Sequence, residues 1–293
     1  MDDDGNAKWP EDRVNGVDEL HQKIAELRER ISNLKSKTDS RPEGGWPIAW
    51  SGRARSEWKL ESTLDRHLKK VAPKESYEQW LGREQAINAE FVQRARQYAS
   101  EIERQYLSNI WTALAFGRHA RLPTRLLDWT RSPWAAVWFA CVEHSDADGA
   151  LWWFDLTEFV KQVGPNWDEW GVPLRPGQPH PKGDRDFEAT AFETHCKPWV
   201  CQLRYFYPCS RMAAQQGFLS VCGRLRKTHN DAIDEMPNGG TIKRGRIIIP
   251  AGIKGKVCEE LRQMNIHATS LEYPGVDIVV QEILEEQLRN SKA

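Results

Sequence analysis

The sequence predicts an α+β fold: a small mixed or antiparallel sheet flanked by helices and preceded by an N-terminal helical extension. Several stretches repeat apolar residues every three or four positions, as amphipathic helices do, while short apolar runs between glycines and prolines are typical of strands. These segments do not alternate regularly, which a doubly wound parallel sheet would require. The 293 residues, 40% of them hydrophobic, are enough for one large domain or two ordinary ones.

Composition and charge exclude several classes of protein. The chain carries 41 basic and 42 acidic residues, a balance that disfavours an acidic disordered chain or a polycation. No apolar run, including the one at residues 135–142, approaches the roughly 18 residues of a membrane span, so no membrane association is expected. Residues 1–4 are polar and acidic rather than signal-like, and the six cysteines form no C-x-x-C pair. We therefore expect reduced thiols and a cytoplasmic location.

Three regions can be distinguished along the chain. Residues 1–45 combine a polar N-terminus, an amphipathic helix and a linker, residues 46–285 form one α+β domain, and residues 286–293 are a tail. The helix, near residues 17–35, has apolar residues at the spacing of a coiled-coil seam. These residues are Leu20, Ile24, Leu27, Ile31 and Leu34. The apolar stripe can pack on the body of the protein or pair with another chain, so this helix is a candidate surface for self-association or partner binding.

The middle of the chain is predicted to be mostly helical. A strand near residues 46–50 precedes a helix near 61–70, and residues 84–116 predict one long helix. A proline ends that pattern, and residues 122–130 are expected to form a loop. A serine followed by Pro133 then begins an apolar helix, because serine is a preferred N-cap and proline is favoured at the first helical position.

The second half is predicted to supply most of the sheet. Four apolar segments with glycine, proline or polar residues at their ends predict strands. They are residues 149–156, 199–205, 217–221 and 245–250. After the first of these, residues 163–184 are rich in proline and glycine and predict a long irregular insertion. Helices are expected at residues 256–264 and 276–288.

The segment 117–130 concentrates the residues best suited to chemistry. Its basic or titratable side chains and its carboxylate are Arg118, His119, Arg121, Arg125 and Asp128. Arginine suits phosphate because its planar guanidinium donates two parallel hydrogen bonds. Asp128 can orient an arginine or a ribose hydroxyl, and the alternative is an Arg125–Asp128 ion pair that only fixes the loop. His119 is a candidate general base near neutral pH, or else a structural histidine that donates to the backbone.

This part of the chain resembles a known family. Residues 122–130, LPTRLLDWT, followed by a proline and the helix sequence WAAVWFAC, resemble the FRG domain family. That family opens on a motif of an aromatic residue, arginine and glycine, and its counterpart here is residues 50–53, followed by W-K-L at 58–60. The later sequence RMAAQQGF, at 211–218, follows in the family's order. The resemblance covers about residues 46–285.

The chain departs from the family pattern toward positive charge. The family's arginine falls at Ser51, and Arg53 stands where glutamine is usual. Because residues 51 and 53 project to the same face of a strand, Arg53 can substitute for the missing arginine, or it can mark lost catalysis. Arg118 and Arg121 stand in place of a glutamine and a glycine of the pattern.

The resemblance implies distant kinship with ADP-ribosyltransferases, and therefore NAD as a substrate. Such an enzyme needs a clamp for the diphosphate, an aromatic ring for nicotinamide, and a carboxylate or amide that holds the ribose as positive charge develops. The candidate binding residues are Arg53, Arg118 and Arg125 for the clamp, Trp50 or Trp129 for the ring, and Thr130.

Three residues are candidates for the catalytic step. Asp128 and Gln216 can hold the ribose or stabilise positive charge, and His119 can act as the base. Gln216 can instead belong to a turn that leads into a strand. Glu188 and Glu193 are candidates only by their position before the late strands. The resemblance also implies a toxin-like or phage-defence effector that modifies a macromolecular target, either protein or nucleic acid.

Two other functions stay open on the residues alone. A non-catalytic module can bind a nucleotide or nucleic acid through an arginine-rich pocket, and the basic segments 211–229 and 243–256 can extend such a surface. A metal-dependent hydrolase using Asp128 and His119 is the third function, although no compact carboxylate cluster supports it. One group of histidine and cysteine residues is of the kind that binds zinc, but the spacing along the chain fits no standard zinc site, so no metal is expected. It consists of His195, Cys196, Cys201 and Cys209.

Overall fold

The structure, a computed structural model, describes residues 9–33, 47–163, 199–203, 210–236 and 239–271. These residues build one sheet of seven strands. In chain order the strands are β1 (Glu11–Arg13), β2 (Ile48–Arg53), β3 (Leu126–Thr130), β4 (Gly149–Asp155), β5 (Val200–Leu203), β6 (Gly217–Cys222) and β7 (Arg244–Ile249). Their spatial order is β1-β7-β4-β2-β3-β6-β5, and every neighbouring pair is antiparallel except β1 with β7.

Helices cover the sheet and connect its strands. They are α1 (Val17–Asn33), α2 (Thr63–Val71), α3 (Tyr77–Tyr98), α4 (Glu101–Tyr106), α5 (Ile110–His119), α6 (Pro133–Cys141), α7 (Leu156–Val163), α8 (Ser210–Ala214), α9 (His229–Glu235), α10 (Ala251–Gln263) and α11 (Ala268–Leu271). A short 3-10 helix occupies Gly239–Thr241. None of the helices in the described ranges is both long and apolar enough to cross a bilayer. The predicted α+β class, with a sheet flanked by helices and an N-terminal helix, is confirmed.

The sheet separates two apolar clusters because side chains alternate along its strands. On β4, Leu151 and Trp153 join the cluster that contains α1, α6 and α10, whereas Trp152 and Phe154 join the cluster on the other face. The seam residues of α1, Leu20 to Ile31, are buried in the first cluster. The N-terminal helix therefore packs on the body of the protein.

The long helix predicted at 84–116 is wrong: the structure has three helices there. Two polar residues interrupt it because their side chains cap new helices. Ser100 forms a capping box with Glu103 at the start of α4, and Asn109 accepts from the backbone N–H of Trp111, at 2.8 Å, at the start of α5. The pattern of apolar residues continues across these caps, so periodicity alone does not reveal them.

The loop predicted at 122–130 is also wrong in part, because its second half is β3. The arginine and aspartate of this segment suggest a loop, yet Leu126, Leu127 and Trp129 are buried and the segment pairs with β6 over five residues. The strands predicted in the second half match β4 to β7 closely, and the Ser132–Pro133 cap begins α6 as expected. The insertion predicted at 163–184, the helix at 276–288 and the tail at 286–293 lie outside the described residues.

Candidate binding cleft

The sheet opens between β2 and β3. Within the described residues, a single residue pair, Trp50 with Thr130, joins these strands in ladder register. If that antiparallel register continued, Arg53 would pair with Leu127, but the two strands have separated at that point. Between them, the Ser51 hydroxyl donates to the backbone carbonyl of Asp128 at 3.3 Å. The separation leaves a cleft of about 510 Å³, which α2, α5, α6 and α8 also line.

The cleft is strongly basic. Its lining includes five arginines and one histidine but two carboxylates. The arginines and the histidine are Arg53, Arg66, Arg118, Arg121, Arg211 and His119, and the carboxylates are Asp128 and Glu143. The whole chain has a net charge of −1, so this concentration of positive charge is local. A partly enclosed surface of one sign attracts ligands of the opposite sign, and this cleft is suited to an anion.

Arg53 has unsatisfied hydrogen-bonding groups inside this cleft. Its Nε and Nη2 are buried, and neither makes a hydrogen bond within the described residues. Burial, with the nearby charges of Arg66 and Arg118, lowers the pKa of Arg53 to about 10, so the side chain stays charged at neutral pH. A buried cation with unmade hydrogen bonds is costly, and an anionic ligand would remove that cost.

Arg118 is held against Asp128. Its Nε donates to Asp128 Oδ2 at 2.9 Å, its Nη2 contacts the same oxygen, and its Nη1 donates to the Thr63 hydroxyl at 3.1 Å. Burial raises the pKa of Asp128, but the Arg118 guanidinium outweighs that effect and holds the pKa below its usual value. Asp128 is therefore an ionised carboxylate, and its Oδ1 is available to a ribose hydroxyl or a developing positive charge.

Arg125 lies outside the cleft, and this corrects two expectations. Its guanidinium is 1% exposed and forms a bidentate pair with the equally buried Glu84, with Nε to Oε1 at 2.6 Å. Its Nη1 also donates to the Gly223 carbonyl at 3.3 Å. Arg125 thus ties the start of β3 to α3 instead of clamping a diphosphate. The ion pair of Asp128 is made by Arg118, not by Arg125.

The predicted stacking rings are core residues. Trp50 is 1% exposed and packs among α1 and α6, and Trp129 is 2% exposed and donates its indole N–H to the Ser220 hydroxyl at 2.8 Å. Both line the back of the cleft, but burial leaves little ring surface for a ligand. Thr130 also lines the cleft, where its hydroxyl donates to the Gln215 carbonyl at 2.5 Å and accepts from the backbone N–H of Ser132.

His119 lines the cleft, whereas Gln216 does not. Burial and the charge of Arg211 lower the pKa of His119, so its imidazole is neutral at pH 7 and able to accept a proton. Gln216 is exposed and has a φ of 49°, in the turn between α8 and β6. Its neighbour Gln215 lines the cleft instead, with its amide donating to the Leu271 carbonyl at 2.9 Å.

Several cleft residues with side chains suited to a ligand are not among the sequence candidates, including Trp58, Arg66, Arg211 and Gln215. Arg211 lies in the basic segment 211–229, and Gln215 precedes the candidate Gln216. Trp58 belongs to the W-K-L sequence of the family's first motif, but the sequence gives it no role in binding. No local signal marks Arg66, because α2 reaches the cleft only through the tertiary fold. Among the residues that the structure describes, no group of three potential ligands could hold a metal ion. The candidates at 188–196 and Cys209 lie outside those residues, and Cys201 is buried on β5.

Comparison with known proteins identifies one segment of the chain. Residues 47–149 match the family model of the FRG domain. No curated protein and no solved structure matches the chain. The matched segment runs from β2 to the first residue of β4 and carries most of the cleft, including Arg53, Arg118 and Asp128. The rest of the lining comes from α8 and β6, beyond the match.

Proposed function

We propose, on the premise that residues 47–149 are an FRG domain, that the cleft binds NAD and that the chain transfers ADP-ribose from it to a macromolecular target. One observation carries the proposal: Arg53 is a half-buried cation whose Nε and Nη2 are buried and make no hydrogen bond within the described residues, in a basic cleft between two separated strands. A diphosphate supplies both the negative charge and the acceptors that Arg53 lacks. The cleft volume of about 510 Å³ lies within the range of small-molecule sites, roughly 300–1,000 Å³.

In this proposal the diphosphate lies against Arg53, and the guanidinium groups of Arg66 and Arg118 add positive charge to the same surface of the cleft. Arg66 lies on α2 with part of its side chain exposed, and partial burial, followed by repulsion from Arg118, lowers its pKa. Cations that depress one another's pKa are stabilised together when an anion binds between them. The binding energy would therefore be shared, with Arg53 contributing most because two of its guanidinium nitrogens are already desolvated and unpaired.

The transfer step needs few protein groups. The bond between C1′ of the ribose and the nicotinamide nitrogen breaks, nicotinamide leaves with the electron pair, and positive charge develops on the sugar ring, as in glycoside chemistry. Asp128, ionised and open at Oδ1, is suited to stabilise that charge. A nucleophilic atom of the target then bonds to C1′, and neutral His119 can accept the proton that it loses.

Binding tests the first half of this proposal. Calorimetric titration of the full chain with NAD and with ADP-ribose is expected to give saturable binding that Arg53→Gln weakens at least about tenfold, the loss of charge-assisted hydrogen bonds. Arg94→Gln is the matched control, because Arg94 is 74% exposed on α3 and pairs with Glu90 away from the cleft. Equal affinities in wild type and Arg53→Gln would refute the proposal.

Labelled NAD tests the second half. Incubation with NAD labelled in its adenosine moiety is expected to release nicotinamide and to label a target in a cell extract, and protease or nuclease digestion then identifies the class of target. In the toxin or phage-defence setting that the family resemblance implies, expression of wild type, but not of Arg53→Gln, arrests growth. Tight binding with no nicotinamide release would overturn transfer.

Tight binding of NAD without release of nicotinamide would support the second candidate function, a non-catalytic nucleotide-binding module. Two observations favour it. Asp128 is engaged by Arg118, and Ser51 occupies the place of the family's arginine, where its hydroxyl bridges to β3. Both arrangements hold the shape and the charge of the cleft constant. A constant shape and charge are sufficient to bind a nucleotide even if no catalytic step follows.

A further inference from the structure

Part of the cleft lining is apolar. It includes Trp58, Phe139 and Val142, of which Trp58 and Val142 are 40% and 42% exposed. They belong to the few large hydrophobic residues in the described part of the chain that face solvent to this extent. The same cleft carries Arg53 and Arg66, so its lining combines a hydrophobic region with a cationic one.

The Trp58 ring is held in place by a neighbouring ring. The His144 imidazole meets it edge to face, with centroids 5.2 Å apart and an interplanar angle of 83°. An edge-to-face contact fixes the orientation of an indole through its π system. Trp58 therefore packs against one neighbouring ring while part of its surface stays exposed where it lines the cleft.

A buried lysine supports this wall. Lys254 on α10 is 1% exposed, and its ammonium donates to three backbone carbonyls: those of Ala54 at 2.7 Å, His144 at 3.0 Å and Glu143 at 3.3 Å. It thereby connects the end of β2 to the loop that follows α6. Because that loop carries His144, the lysine fixes the position of the ring against which Trp58 packs.

We propose that Trp58 is the stacking surface for the heterocyclic base of a nucleotide whose phosphates lie against Arg53. The inference rests on the proposed function for the phosphate position and adds the position of the base. A ligand with a flat aromatic ring joined to an anionic group matches the two regions of the lining. Aromatic side chains stack on bases through their faces, and such stacking contributes substantially to nucleotide affinity.

Two probes separate the base site from the phosphate site. Calorimetry of the full chain with inorganic pyrophosphate and with ADP is expected to show that ADP binds about tenfold more tightly, from base stacking. The Trp58→Ala variant should bind ADP no more tightly than pyrophosphate, while its affinity for pyrophosphate stays that of wild type. The Trp58→Phe variant should keep most of the difference in affinity between ADP and pyrophosphate. Tyr98→Ala, which removes an aromatic residue 88% exposed at the end of α3, is the control and should behave as wild type.

The outcomes distinguish the two proposals. If pyrophosphate binds and ADP binds no more tightly, or if Trp58→Ala lowers the affinity for both probes equally, the base site is refuted and the phosphate site stands. If wild type binds neither probe, both proposals fail together. Melting curves of the variants identify any loss of fold, and Trp58→Phe provides the comparison in which the aromatic packing on His144 is retained.

Discussion

Two arginines near the same cleft have opposite roles, and the difference lies in their partners. Arg125 has a carboxylate that compensates its buried charge, whereas Arg53 has buried N–H groups without an acceptor in the described residues. Desolvating a guanidinium is expensive, and a folded chain accepts that cost when an ion pair or a ligand offsets it. Arg125 is therefore a structural residue, and Arg53 is the residue whose environment points to a ligand.

The Arg125–Glu84 pair gives a prediction for stability. Glu84→Gln keeps the shape of the side chain but leaves the Arg125 charge buried without compensation, and we expect a loss of about 3–5 kcal/mol in the free energy of unfolding. Urea denaturation of wild type and variant measures this. Glu90→Gln removes an exposed partner of Arg94 and should change the value by less than about 1 kcal/mol. Similar losses for the two variants would contradict the structural role of Arg125.

The candidate site could be predicted from the sequence only in part. The two sequence motifs supply Arg53, Arg118, His119, Asp128 and Thr130 as candidates, and all five line the cleft, whereas the candidates Arg125 and Gln216 do not. The motif cannot separate Arg118 from Arg125 because the deciding partner, Glu84, lies 41 residues before Arg125. The opening between β2 and β3 was also beyond prediction, since strand pairing depends on contacts between distant parts of the chain.

Two of the elements that line the cleft, α6 and β2, pack tightly against each other. Gly52 faces α6 so tightly that a Cβ atom built on it would lie 1.9 Å from the Ala136 carbonyl oxygen. The local signals for α6 were strong, namely a serine N-cap and a proline at the first helical position, and the sequence predicts this helix correctly. Its fit against Gly52 is a property of the packed pair, which no local signal shows.

Gly52→Ala tests this fit. The added methyl group must displace α6 from β2, and we expect a loss of about 3 kcal/mol in the free energy of unfolding, with weaker nucleotide binding. Gly82→Ala is the control. Gly82 is exposed in the interior of α3, and nothing lies within 4 Å of the new Cβ, so this change should raise the free energy of unfolding by about 0.5–1 kcal/mol. Chemical denaturation measures both, and an unchanged Gly52→Ala protein would show that α6 can move freely.

At the scale of the whole molecule, the N-terminal extension is part of the fold. The strand β1 pairs with β7 at one edge of the sheet, and Arg246 on β7 forms an ion pair with Glu11. The buried face of α1 contacts the cluster under α6 and α10. The heptad-like spacing predicts the helix correctly but leaves its partner open. The short strand β1, with three exposed residues, has no apolar pattern from which it could be predicted.

Deletion of residues 1–33 is expected to destabilise the whole domain. It removes β1 and the buried side chains of α1, each worth roughly 1.5–3 kcal/mol of burial, against a total stability of about 5–15 kcal/mol. It also leaves the β7 edge unpaired, which favours aggregation. Size-exclusion chromatography and thermal melting of the truncated chain measure the effect. A monomer that melts within a few degrees of the full chain would contradict this prediction.

The single bridge between β2 and β3 has a consequence for what the cleft can admit. Backbone hydrogen bonds normally hold adjacent strands at a constant spacing of about 4.8 Å, but here the ladder stops after one pair. The Ser51 hydroxyl bridges the gap, and α6 packs against β2, β3 and β4 together, so this helix contributes to the distance between the two halves of the sheet. Substitutions on the buried face of α6, away from Phe139, can therefore change ligand size selection without altering a residue that lines the cleft.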